Sequence, residues 1–169
     1  MGCERPWLAN YPKGIGPEVD LEKYASIVSV LEETCRLYRD NPAFANFGKK
    51  LTYAEVDELS TRFANYLLHE LKLKKGDRVA LMMPNLLQYP IAIFGVLRAG
   101  LTVVNTNPMY TARELKHQLV DSGASAIVVL ENFAHVVADV IAETSVKQVL
   151  VTGVGDMLGF PKGTLVNFV

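Results

Sequence analysis

The sequence has little of several things, and each shortage excludes a class of protein. It has only two cysteines, Cys3 and Cys35. One belongs to the N-terminal tail and the other to an apolar helical pattern, so no disulfide framework is expected and a reducing compartment fits. It has no excess charge: 17 basic and 18 acidic residues leave a net −1, without a basic run to hold nucleic acid. No secretory apolar region follows Met1. "MGCERP" starts with Met-Gly, but Pro6 stands where a myristoylation signal has Ser or Thr. No G-x-S-x-G elbow occurs. His69, His117 and His135 fall in different helical segments without a metal-ligand spacing. His135 and Asp139, four apart, read as a surface pair. Neither cysteine has the setting of a nucleophile, and Cys35 on its apolar face reads as core. Glu32 and Glu33 read as solvent-facing.

What is present is apolar. Residues 80–97, "ALMMPNLLQYPIAIFGVL", carry no charge. A run of about 18 such residues is long enough to be a membrane-span candidate. Pro84-Asn85 and Pro90 argue against one continuous helix, because proline removes a backbone donor and clashes with the preceding turn. The run divides into a buried strand at 78–83, a turn at Pro84-Asn85 with Asn85 as a candidate cap, and a helix to about Ala99 closed by Gly100. Pro90 then falls in or just after the first helical turn. A second strand, 101–104, completes a βαβ unit.

Elsewhere, residues 1–20 hold Pro6, Pro12, Gly14, Gly16 and Pro17 and read as an extended arm without regular structure, ahead of an α/β domain over 21–169. Tyr24, Ile27, Val28, Leu31, Cys35 and Tyr38 recur at helical spacing. Asn41-Pro42 ends that helix. "AFANFGKKLTY" is a hairpin turning at Gly48-Lys49. Thr52 with Glu55, and Thr111 with Glu114, are capping boxes that open two more helices; Gly123 ends the second. Strands follow at 126–130 and 149–152, with a helix at 133–143 between them. Together these elements predict an α/β fold: a doubly wound, mainly parallel sheet with helices on both faces, plus a small N-terminal hairpin.

"TGVGDMLG" after the last strand resembles a dinucleotide fingerprint. Its glycines stand at 153, 155 and 159, outside the G-x-G-x-x-G spacing. Pro161 and Gly163 occupy the place where a helix should begin, so a connecting loop is expected rather than a phosphate cradle. "GFPKGT" likewise lacks the spacing of a phosphate loop. Residue chemistry alone therefore stops at an α/β domain without a self-contained active site.

The wording of two segments goes further. "KKGDRVALMMPNLLQYPIAIFGVLRAG" and "TVVNTNPMYTARELKHQLVDSGASAIV" resemble the N-terminal part of bacterial long-chain fatty-acid–CoA ligases, of the AMP-forming adenylating superfamily. "WLANYP", "FANFGKKLTYAEVDELSTRFANYL", "NFAH" and "KGTLVNFV" fit the same pattern, so the resemblance covers nearly the whole chain. It implies a two-step reaction. ATP and fatty acid give acyl-adenylate and pyrophosphate, and coenzyme A thiolate then displaces AMP. It also implies Mg²⁺, a Ser/Thr/Gly-rich phosphate loop, a ribose-binding aspartate and a lysine on a mobile C-terminal domain. None of those motifs occurs in the sequence, so the resemblance implies an N-terminal fragment of a longer ligase, itself inactive scaffold without a bound cofactor.

The same resemblance places the loop "NTNPMY", 105–110, on the coenzyme A side, which makes Asn105, Asn107 and Tyr110 the candidate contacts. Against this, Pro108 and Thr111 are enough to shape a turn and cap a helix. A cytoplasmic location, peripheral contact of the full-length protein with the inner membrane, and a homodimer formed through faces meant for other subdomains are further expectations, although no basic amphipathic helix supports the membrane contact. A stand-alone binding or dimerisation module is the alternative. A nicotinamide-dependent reductase is disfavoured by the broken glycine pattern.

Overall fold

The computed structural model describes residues 4–168. The readings of Cys3 and of the Met-Gly start therefore lie outside the described residues. The order of elements is α1 (Ile27–Leu37), β1 (Pro42–Asn46), β2 (Lys49–Thr52), α2 (Tyr53–His69), β3 (Arg78–Met82), α3 (Gln88–Arg98), β4 (Thr102–Asn105), α4 (Ala112–Ser122), β5 (Ala126–Leu130), α5 (Ala134–Val140), β6 (Gln148–Thr152) and α6 (Lys162–Phe168).

β3, β4, β5 and β6 form a parallel sheet in the order β4-β3-β5-β6. The connections explain why helices cover both faces. From β3 the chain steps outward to β4, then crosses back over β3 to β5 and continues to β6. Right-handed crossovers in opposite directions put their helices on opposite faces. Val79, Leu81, Ala126 and Val128 accordingly pack against α2 and α3. Ala80, Met82, Ile127 and Val129, one residue out of phase, pack against α4 and α5. Leu81, Met82, Ile127 and Val129 are fully buried. Each such side chain contributes roughly 1.5–3 kcal/mol relative to exposure, so the apolar run at 80–97 is the centre of this core. Among the described residues no helix is long and apolar enough to cross a membrane.

A third cluster joins α1, the β1–β2 hairpin and α2 through Leu31, Cys35, Leu51 and Val56. Cys35 is buried, and burial, followed by the nearby Asp57 carboxylate, pushes its thiol pKa up. Arg98, with a side chain 13% exposed, reaches Asp57 at 2.5 Å and Glu32 at 3.5 Å. Glu32 is thus exposed but paired, which its position in the sequence did not show.

At the lower rim, where the strands begin, the connections are short and closed by backbone bonds. Arg78 donates from Nε to the Ser122 carbonyl (3.0 Å) and from Nη2 to the Gly123 carbonyl (2.6 Å), capping the end of α4. Its own carbonyl accepts from the Ser125 N–H at 2.9 Å, where β5 begins.

Several boundaries differ from expectation. The arm is not wholly irregular: Pro6–Asn10 form a 3₁₀ turn. Tyr24 lies before α1, which starts after its N-cap Ser26, paired with Ser29 in a capping box. The hairpin turns at Phe47-Gly48, both with positive φ, one residue earlier than the pattern placed it. Asn85 does not cap α3. Leu87 precedes that helix without a side-chain cap, and the Asn85 carbonyl instead accepts from Asn46 Nδ2 at 3.1 Å. A helix, α6, does follow Pro161.

Candidate functional site

Ligand crevices in open parallel sheets lie beyond the carboxyl ends of the strands, where neighbouring connections leave toward opposite faces. β3 leads through α3 outward to β4 and β5 leads through α5 outward to β6 on the other face, so the switch point lies between β3 and β5, and the β4 loop stands one strand away from it. The helix after the central strand governs it. Gln88 and Tyr89, the first residues of α3, reach in opposite directions. Gln88 Nε2 donates to the Gly153 carbonyl beyond β6 at 2.7 Å. The Tyr89 hydroxyl donates to Asn105 Oδ1 at the end of β4, also at 2.7 Å. Burial pushes the Tyr89 phenol pKa up. Pro90 lies in the first turn of α3, as expected.

The β4 loop holds all three predicted residues. Asn105 is exposed, and its carbonyl accepts from Gln118 Nε2 at 3.0 Å. Thr106 is buried and donates its N–H to the Leu81 carbonyl. Asn107 is exposed, and its Oδ1 accepts from the Met109 N–H at 3.0 Å. Tyr110 is half-buried and packs against the core under α4. It also lines a shallow groove with Arg113 and His117. Thr111 and Glu114 form the expected reciprocal cap. The hydrogen bond from the Thr111 N–H, then that from its hydroxyl, lowers the Glu114 carboxyl pKa. The structure thus places Asn105 and Asn107 toward solvent and gives Tyr110 mainly a packing position. Sequence reasoning missed Tyr89 and Gln118. Tyr89 sat within an apolar run and carried no signal beyond its place at the start of a helix.

The β6 loop spends its polar groups on itself. Asp156 accepts from the Thr152 hydroxyl (2.9 Å), the Gly153 N–H (2.8 Å) and Asn167 Nδ2 (2.8 Å). Burial opposes ionisation of Asp156, but these donors outweigh it and lower the pKa. The Gly155 N–H is taken by Asn167 Oδ1. Gly155 and Gly163 meet so closely that a Cβ on Gly155 would stand 2.2 Å from the Gly163 carbonyl oxygen. Lys162 donates to the Phe47 carbonyl instead of standing free. The glycine-rich segment is a folded connection, as its spacing implied, although a seven-residue helix follows it.

His69, His117 and His135 are exposed on α2, α4 and α5. Among the described residues no hydrogen bond or ion pair joins His135 to Asp139, and no group of three or more His, Cys, Asp or Glu residues is placed to hold a metal.

The profile of the AMP-binding enzyme family matches residues 31–168, and the chain belongs to that family. Among individual proteins, it is 55% identical over 98% of its length to long-chain-fatty-acid–CoA ligases of Yersinia pestis and Haemophilus influenzae. It spans about 30% of the length of those relatives. A solved structure of a Mycobacterium tuberculosis fatty acyl CoA synthetase is 26% identical, with a TM-score of 0.69 over 75% of this chain and 26% of that one.

Proposed function

We propose that this chain is the first subdomain of an AMP-forming long-chain fatty-acid–CoA ligase, with residues 1–20 as an arm and 21–169 as the subdomain body. The observation that carries the reading is 55% identity to such ligases sustained over nearly the whole chain. The complete enzyme activates fatty acid with ATP and passes the acyl group to coenzyme A. The physical task is to hold anionic reactants in line and to stabilise charge on the transferring group. In this reading the chain's own part is to support the site and shape one side of it. That side is the β4 loop, where Asn105, Asn107 and Tyr110 face coenzyme A. Its support is the position of the loop at the carboxyl end of a parallel strand, the end at which ligands bind in such sheets.

The test compares the complete reading frame with residues 1–169 alone. The complete protein releases AMP and forms a thioester only when long-chain fatty acid, ATP and coenzyme A are all supplied; the 169-residue chain releases none. AMP release by the short chain, or none by the complete protein with any fatty acid, overturns the reading. Asn107→Ala in the complete protein raises the KM for coenzyme A; an unchanged KM removes Asn107 from the site. A cytoplasmic location, a homodimer and contact with the inner-membrane surface belong to the same proposal. Light scattering and vesicle sedimentation of the complete protein test the last two.

A further inference from the structure

Two elements far apart in the sequence meet beside the third cluster and leave an apolar face uncovered. The first is α6. Its inward side is fixed by Gly163 against Gly155, by Val166 in the cluster and by Asn167 on the Gly155 N–H. Helical residues three apart share a side. Leu165 and Phe168 therefore stand together, opposite those anchors. Both are exposed, Phe168 by 90%. Phe160, just before the helix, is 90% exposed as well. The second element is the β1–β2 hairpin. Lys162 of α6 donates to the Phe47 carbonyl at the hairpin turn, and its ammonium lies 3.6 Å from where a Cβ on Gly48 would stand. The Phe47 ring is exposed there, and Lys49 and Lys50 follow the turn. Rings and ammonium groups thus share one surface.

The charge on that surface is mainly positive. Among the described residues none of Lys49, Lys50 and Lys162 forms an ion pair. Glu55 lies near Lys49, but its carboxylate is spent on capping α2. Asp156 lines a groove with Phe160 and Phe168, and its carboxylate already accepts from Thr152, Gly153 and Asn167. Aromatic and aliphatic tips beside lysines are the composition of a surface that lies on a bilayer. A bilayer with anionic lipids supplies both complements, phosphate for the lysines and hydrocarbon for the rings.

We infer that the outer face of α6 and the hairpin turn form the surface on which the complete protein meets an anionic lipid bilayer. Phe160, Leu165 and Phe168 enter the acyl boundary, and Lys49, Lys50 and Lys162 face the phosphates. The inference rests on the membrane contact proposed above and gives that contact its place. No helical pattern in the sequence carries it, because Phe47 and Lys162 are 115 positions apart.

Sedimentation of the complete protein with vesicles tests it. The parent binds vesicles of equal parts phosphatidylcholine and phosphatidylglycerol, and binds phosphatidylcholine alone more weakly. Phe160→Ser and Leu165→Ser each lower the partition coefficient by about ten-fold on both kinds of vesicle, the effect of withdrawing one apolar side chain from the boundary. Lys50→Glu lowers it by at least about five-fold, on the anionic vesicles only, and added salt erases that difference. Fatty-acid-dependent ATP–pyrophosphate exchange without vesicles, and the urea midpoint, stay at the parent values in all three variants. If the parent binds neither vesicle, the membrane contact falls and the inference with it. If the parent binds and the three variants bind equally well, the contact lies elsewhere on the protein and the inference falls alone. If the serine variants lower the urea midpoint or the exchange rate, the rest of the chain covers this face. If they turn a dimer into a monomer, a second copy covers it. Either of the last two results overturns the inference.

Discussion

The loops leaving β4 and β6 hold equivalent places. Each follows the carboxyl end of an edge strand, each is tied to the start of α3 by one side chain, and each leads into a helix. Their polar groups go to opposite uses. The β6 loop contains three glycines and an aspartate, the composition usually associated with phosphate, yet Asp156 and Asn167 consume the N–H groups of Gly153 and Gly155. The β4 loop has no glycine, and its asparagines turn inward only their oxygens. A loop is available to a ligand through the groups its own fold leaves over, and composition does not count those.

Four substitutions test this contrast, and the largest effect is expected at the crossing of Gly155 and Gly163. Gly155→Ala drives a methyl group into backbone that cannot rotate away, and costs about 3 kcal/mol in urea unfolding. A loss below about 0.5 kcal/mol would show that β6 and α6 are not held this closely. Asp156→Asn comes next, at about 1 kcal/mol near neutral pH, discounted because the carboxylate is partly exposed. Its pKa is lowered in the folded chain, so its contribution is fully present above the ordinary carboxylate value of about 3.9 and is lost as pH falls through the lower folded value. The variant should accordingly flatten the acid limb of a stability-against-pH curve; an unchanged limb would place the acid sensitivity elsewhere. Thr111→Ala removes the cap of α4 and costs about 1 kcal/mol, with faster amide exchange at Ala112, Arg113 and Glu114 as the readout. The smallest change is at Asn107→Asp. Its stability stays within about 0.5 kcal/mol of the parent, because the inward oxygen survives; a larger loss would make the outward amide a structural group after all.

Much of the fold was legible because burial repeats with a period. Residues 126–130 form β5 as the sequence predicts, since a strand buried on both faces is a short apolar block between turn signals. Both Thr–x–x–Glu boxes open helices as predicted, because a cap is a contact made within four residues. Legibility failed where the deciding partner is distant. Asn85 has the chemistry of a cap, but the hairpin residue Asn46 takes its carbonyl, and α3 begins later. Glu32 is exposed as read, but its pairing with Arg98 from α3 could not be seen in the sequence. Of the candidate site, the sequence indicated the loop but not its orientation. Tyr89 lies 16 positions before Asn105, and no periodicity connects a phenol to an amide across a strand.

The capping of α4 by Arg78 has a consequence for how the molecule tolerates change in chain length. One residue holds the carbonyls that close a helix with its side chain and the amide just before the next strand with its backbone. The step from α4 into β5 is thereby measured to the residue. One insertion between them would advance β5 by a position and exchange its two faces, sending Ile127 and Val129 to the side shaped for Ala126 and Val128. The lower rim is a fixed gauge, and insertions and deletions are left to the upper rim, where a change of loop length alters what is bound without altering what is buried.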